Sequence, residues 1–180
     1  EVADLNTARQ QASAGGESNT SAVIYAGYTA TARTGITETW NGTSFTEDGD
    51  MSTARAYGQG GAGTATSALA FGGEDPSART AATEEWAAAG VAVNAWSTGT
   101  NTNTPAVANR GHGTQGTQTA ALATGGTGVI DNVESYDGTS WTEIADLNVA
   151  KHLHISIGTN TATLVAGGNT GSAIATNESW

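Results

Sequence analysis

The chain has 180 residues, room for one ordinary domain, and six Lys and Arg against seventeen Asp and Glu give it a net charge of −11. That charge disfavours a nucleic-acid backbone or an anionic bilayer surface as partner. No apolar run approaches the eighteen residues of a membrane span, and the lack of cysteine excludes disulfides, thiol catalysis and Cys-based zinc sites.

Leu, Ile, Val and Phe make up only about an eighth of the sequence, a composition that by itself points to disorder. An internal repeat overrides it. In the first copy the strand signals give runs at Gln10–Ala14, Ser21–Ala26, Ile36–Trp40 and around Phe45, separated by the loops GGESNT, TATARTG and WNGTS. Asn41-Gly42, and later Asp137-Gly138, sit between runs as two-residue hairpin turns prefer. The second copy brings the small, polar run GQGGAG at 58–63, and its alanine stretch Ala87–Ala89 reads as an insertion in an outer turn. The third has an irregular lead, NTNTPAVANR, before GHGTQGTQ at 111–118.

Three landmarks keep their order in all four copies. Each copy opens on a basic residue (Arg9, Arg55, Arg110, Lys151). Each then has an apolar stretch closing on glycine (Gly27, Gly73, Gly126, Gly168). Each continues to a glutamate two residues before an aromatic: Glu38 and Trp40, Glu84 and Trp86, Glu134 and Tyr136, Glu178 and Trp180. The aromatics are 46, 50 and 44 residues apart in turn, a period that suits a four-stranded antiparallel blade. The repeats run approximately over 1–46, 47–96, 97–142 and 143–180.

This order resembles the kelch repeat of β-propellers, which has a basic residue before the innermost strand, a diglycine closing the second, a glutamate and aromatic on the third and a tryptophan on the fourth. Gly72-Gly73, Gly125-Gly126 and Gly167-Gly168 supply the diglycine, with Ala26-Gly27 as a degenerate copy. Trp96 and Trp141 supply the later tryptophan. The resemblance implies an all-β, kelch-like propeller of four-stranded antiparallel blades, about four of them present. Near the axis the strands must be thin, and farther out large rings must fill the widening wedge, each removing about 150–250 Å² from water. Glu1-Val-Ala-Asp-Leu-Asn matches the stretch from Glu143, and Trp180 matches Tyr136, so the expectation is a stretch of a longer array rather than a ring that lost one strand.

The recurrent cation and glutamate are expected to form a structural pair in each blade rather than a ring of ligand-binding charges, because a feature present in every copy serves the copy. His152 and His154, two apart on the expected innermost strand, and His112 one blade earlier, read as polar channel-lining residues. Neither they nor the acidic turns Glu47–Asp50 and Gly73–Asp75 have the ligand spacing of a zinc or calcium site. No cofactor pattern occurs. The heavily Thr, Ala, Gly and Ser composition, and DGTSWTEIADLN from Asp137, look like kelch-like repeats of tailed-phage structural proteins and bacterial surface proteins. The expectation is a non-enzymatic, extracellular or virion-associated structural or binding module, without nucleic-acid binding or membrane insertion. Its partners would be other protein subunits of an assembly or host-surface glycans, met through the loops Thr29–Gly35, Glu74–Thr83, Ala87–Pro105 and Asn169–Ala175. The alternative is a catalytic kelch propeller acting on a sugar, like a sugar oxidase or sialic-acid isomerase, drawing on His112, His152, His154 and scattered acids.

Overall fold

The structure, a computed structural model, describes residues 2–88, 95–105 and 116–179, and of residues 58 and 59 only the backbone. It is all-β and arranged as a four-bladed β-propeller, with no helix among the described residues. The first blade holds β1 (Ser13–Ser18), β2 (Ser21–Tyr25), β3 (Thr37–Trp40) and β4 (Phe45–Glu47). The second holds β5 (Ala56–Gly63), β6 (Ser67–Glu74), β7 (Thr83–Ala87) and β8 (Ala95–Thr98). The third holds β9 (Gly116–Thr117), β10 (Ala120–Gly126), β11 (Ile130–Tyr136) and β12 (Trp141–Glu143). The fourth has three strands, β13 (Ile155–Thr159), β14 (Ala162–Ala166) and β15 (Asn177–Ser179). Every sheet is an antiparallel meander in chain order, and consecutive blades meet mainly through their first two strands.

Strand alternation gives each blade two faces. In the first, Val23 and Tyr25 look toward the second blade and pack with Ala68, Ala70 and Trp86. In the second, Leu69 and Phe71 look toward the third and meet Ala121, Ala123, Tyr136 and Trp141. In the third, Leu122 and Val133 look toward the fourth and meet Val165. One side of each joint is therefore aliphatic or aromatic on strands two and three. The other presents small residues on strand two, which in the first two joints leaves room for large rings on strands three and four. Trp86, Tyr136 and Trp141 are buried and Trp96 partly so, which is how a chain with so few aliphatic residues builds a core.

The fourth-strand tryptophans also satisfy their N–H groups across the joints: Trp96 Nε1 donates to Thr37 Oγ1 at 2.8 Å, and Trp141 Nε1 to Thr83 Oγ1 at 3.2 Å. The third-strand tryptophans stay within their own blade, whereas the Tyr136 hydroxyl donates across the joint to Glu85 Oε1 at 2.6 Å. Trp40 Nε1 donates to the Asn19 carbonyl and Trp86 Nε1 to that of Ala65.

Two local expectations need correction. The innermost strand of the first blade is Ser13–Ser18, not Gln10–Ala14, so GG of the expected loop lies within the strand. Gln11, Tyr57 and Leu153, each two residues after the basic residue, hold φ of 56–59°, which interrupts extended pairing there. Gln10 and Tyr28 instead form a separate bridge. Thin strands are needed because the first strands of adjacent blades nearly touch: a Cβ on Gly61 of β5 would come within 3.1 Å of the Ala14 carbonyl oxygen of β1. The Asn41-Gly42 and Asp137-Gly138 turns contain four residues, since Trp40 pairs with Phe45 and Tyr136 with Trp141. The Asn41 and Asp137 side chains choose this longer turn by accepting from the N–H groups two and three residues on, at 2.8–3.0 Å.

Candidate functional site

The repeated charges come together inside each blade. Arg9 Nη1 lies 2.5 Å from Glu38 Oε1, Arg55 Nη2 lies 3.0 Å from Glu84 Oε1, and Lys151 Nζ lies 2.8 Å from Glu178 Oε1. Glu134 occupies the equivalent place in the third blade; its sequence partner Arg110 lies outside the described residues, as do His112 and Trp180. Each glutamate does more than pair. Glu38 accepts from the N–H of Asn6 and Thr7, Glu84 from those of Ser52 and Thr53, and Glu134 from those of Asn103 and Thr104, while Glu178 accepts from that of Asn148. The carboxylate thus ties the lead segment of a repeat to its third strand.

That makes Asn6, Ser52, Asn103 and Asn148 a fourth repeated position, which sequence reading did not single out. It also explains the irregular third lead, because Asn103-Thr104 makes the contact ahead of extra residues. Asn6 and Asn103 further donate their side-chain amides to the fourth-strand carbonyls of Phe45 and Trp141.

The repeated glycines work between blades. The Gly27 N–H donates to the Arg55 carbonyl at 2.9 Å, and the Gly126 N–H to the Lys151 carbonyl at 3.1 Å. Gly27, Gly73 and Gly168 have φ between 93° and 114°, and the residues before them lie in the left-handed region near 60°. Ala26 accepts that conformation at φ 59° in the degenerate copy.

The histidines separate in role. His152 pairs with Asn169 as an isolated bridge, before β13 begins. His154 is fully buried at the joint of the third and fourth blades rather than lining an open channel; its Nε2 lies 3.0 Å from Thr124 Oγ1, and Nδ1 has no partner. Burial, reinforced by the Lys151 ammonium, pushes its pKa down to about 4. An unfolded histidine titrates near 6.5, so between about pH 6.5 and 4 the unfolded chain takes up a proton that the folded chain refuses. Stability should therefore fall as pH drops through that window and level off below it, by about 2–3 kcal/mol from this group. Urea unfolding at pH 7 and 4.5 checks this. His154→Gln should show a shallower loss than the unaltered chain, and equal losses would refute the assignment.

Glu178 adds a second, lower transition. Burial opposes its ionisation, but Lys151 and the Asn148 N–H outweigh that and hold its carboxyl below the usual range. No group of three or more His, Asp or Glu could hold a metal among the described residues. The acidic turns use their carboxylates locally: Asp48 accepts from Thr39 Oγ1 at 2.6 Å, and Asp75 from the N–H groups of Ser77 and Ala78.

A cleft of about 260 Å³ opens on one rim, where the loop between β2 and β3 meets that between β6 and β7. Arg33, Glu74, Asp75 and Arg79 line it. Arg33 is held in place by Glu74 at 3.1 Å and by the Tyr57 ring, 5.1 Å from its guanidinium carbon. Tyr57 leans in turn on Tyr28. Arg79 is exposed and its guanidinium has no ion-pair or hydrogen-bond partner among the described residues. Both loops are among those expected from sequence to carry recognition. No protein-family model matches the chain, and neither does any curated protein.

Proposed function

We propose that this chain is a non-enzymatic, kelch-like structural and binding module of a virion appendage or bacterial surface, packing against other protein subunits and meeting host-surface glycans through its rim loops. The observation that carries the glycan part is the free Arg79 guanidinium beside the anchored Arg33 in the rim cleft. Two cations and two carboxylates line that cleft, which suits a hydroxyl-rich ligand that both donates and accepts, and a guanidinium can take a sugar-acid carboxylate in bidentate fashion. Its volume suits one sugar residue rather than a larger ligand. The repeated buried pairs support a non-catalytic reading in a different way: their carboxylates are already occupied by a cation and by backbone N–H groups.

Glycan-array binding of the 180-residue chain tests this, alongside a screen for sugar oxidation, isomerisation and hydrolysis. Binding to an acidic glycan should weaken at least about tenfold in Arg79→Ala, with an unchanged melting temperature. Turnover that disappears in His152→Ala would replace this reading with an enzymatic one, and an array without signal would remove its glycan half.

A further inference from the structure

The rim loops between second and third strands differ among the blades. Each is closed by a later N–H that donates to the carbonyl of the repeated glycine: Thr34 to Gly27, Thr80 to Gly73, Val129 to Gly126 and Ile174 to Gly168. The donor is seven residues on in the first two blades, six in the fourth and only three in the third. Arg33 and Arg79 hold the same place in the two longest loops. Each stands immediately before the closing donor, and each is bridged to the residue after the glycine, Tyr28 in the first loop and Glu74 in the second.

Both arginines reach toward the next blade, with different results. Arg33 meets Glu74 of the second blade at 3.1 Å. Arg79 comes against the third blade, where its Nη1 lies 3.9 Å from the point at which Gly128 would carry a Cβ. Only Ile130 Cγ2 is otherwise within 4 Å of that point, and Gly128 is exposed, so there is room beside the guanidinium. The residue that follows the glycine is Glu74 in the second blade but Thr127 in the third, and Gly128 and Val129 add no polar side chain. Residues 89–94 and 106–115 contain no Asp or Glu either, so those stretches have no carboxylate to offer. The first joint thus pairs its rim arginine with an acid of the chain, whereas Arg79 has no ion-pair partner among the described residues.

We propose that Arg79 takes the carboxylate of a sugar acid over the short loop of the third blade, the ligand serving Arg79 as Glu74 serves Arg33, with the sugar hydroxyls turned toward Asp75 and Ser77 in the adjoining cleft. This rests on the glycan part of the function proposed above and names the charged group of the ligand and where it docks. A single carboxylate fits better than a phosphate- or sulfate-rich chain. The protein carries −11, and Glu74 and Asp75 stand in the same cleft, the Asp75 carboxyl held below its usual range by the Ala78 and Ser77 N–H groups. Such carboxylates accept from sugar hydroxyls and repel further anionic groups.

Proton–nitrogen NMR titration of the 180-residue chain with glucuronate, against glucose at the same concentrations, tests this. Glucuronate should shift the Gly128 amide and the Arg79 side-chain N–H, and glucose should shift neither. Affinity for glucuronate should fall at least about tenfold in Arg79→Gln, and as much in Thr127→Glu, which keeps the arginine but supplies a carboxylate from within the chain. A melting temperature near that of the unaltered chain shows each variant to be folded, and Thr127→Asp replaces Thr127→Glu if that one is not. No shift at Gly128 overturns the inference, as does undiminished binding in Thr127→Glu. Equal affinity for glucose overturns it because the carboxylate is then not read, and equal affinity for N-acetylglutamate because an acidic peptide then serves as well. The two readings fail separately. An acidic-glycan array signal that survives Thr127→Glu overturns this docking site and leaves the glycan reading, whereas Gly128 shifts without any array signal uphold the site and remove the glycan-binding role.

Discussion

Glu84→Gln should lower the unfolding free energy by about 3–5 kcal/mol, the usual result of removing one partner from a buried ion pair. The Arg55 side chain is fully buried and that of Glu84 is 1% exposed. Burial draws the Arg55 pKa down and the Glu84 charge opposes it, so the arginine depends on its partner to remain a comfortable cation. Gln keeps the shape and loses the charge. Its amide can still accept at one oxygen, but Glu84 serves the Ser52 N–H and hydroxyl, the Thr53 N–H and the guanidinium together. Guanidinium-chloride melts of the two proteins measure the difference. The Arg33–Glu74 pair is the control: both side chains are about one-fifth exposed, and Glu74→Gln should change stability by about 1 kcal/mol or less. Similar losses in the two variants would show that the repeated pair is not a structural tie.

Trp86→Ala should be destabilising by about 3–5 kcal/mol, and Trp40→Ala by less. Both rings occupy the same place in their blades, but Trp86 is 0% exposed within the joint of the first two blades, whereas Trp40 is 9% exposed on the open face of the first. The Trp86 ring stacks at 5.5 Å on Trp96, which meets Tyr25 edge-on at 4.8 Å, so its removal opens a cavity bordered by other rings that cannot collapse into it. Thermal melts followed by fluorescence read both variants. Equal effects would mean that blade joints contribute nothing beyond burial within a single sheet.

The blade pattern was legible in the sequence because it is carried by chemistry that repeats. A glutamate, a ring and a left-handed glycine leave a periodic trace whatever the loops do. Strand limits near the axis were less legible. Thr, Ser, Ala and Gly have little preference there, and a backbone turn at Gln11 that no side chain announces shifted the first strand by three residues. The Asn6, Ser52, Asn103 and Asn148 position was hidden because it acts through backbone N–H groups as well as side chains, and one copy has serine in place of asparagine. Its signal was the near-constant spacing of about thirty residues to the glutamate. His154 was misplaced for another reason: two residues of separation suggests a shared strand face, but β13 starts only after it. The rim cleft could not be read at all, since its two loops lie in different repeats and meet only when the blades are set side by side.

The contacts between blades have one further consequence. Among the described residues each sheet packs closely on its immediate neighbours in the chain, so cohesion is passed along like coupling in a linear lattice. The middle sheets are clamped on both flanks and the terminal ones on a single flank. In the isolated 180-residue chain, opening should then begin at the first and fourth sheets and work inward, with the second and third holding their amide protons longest.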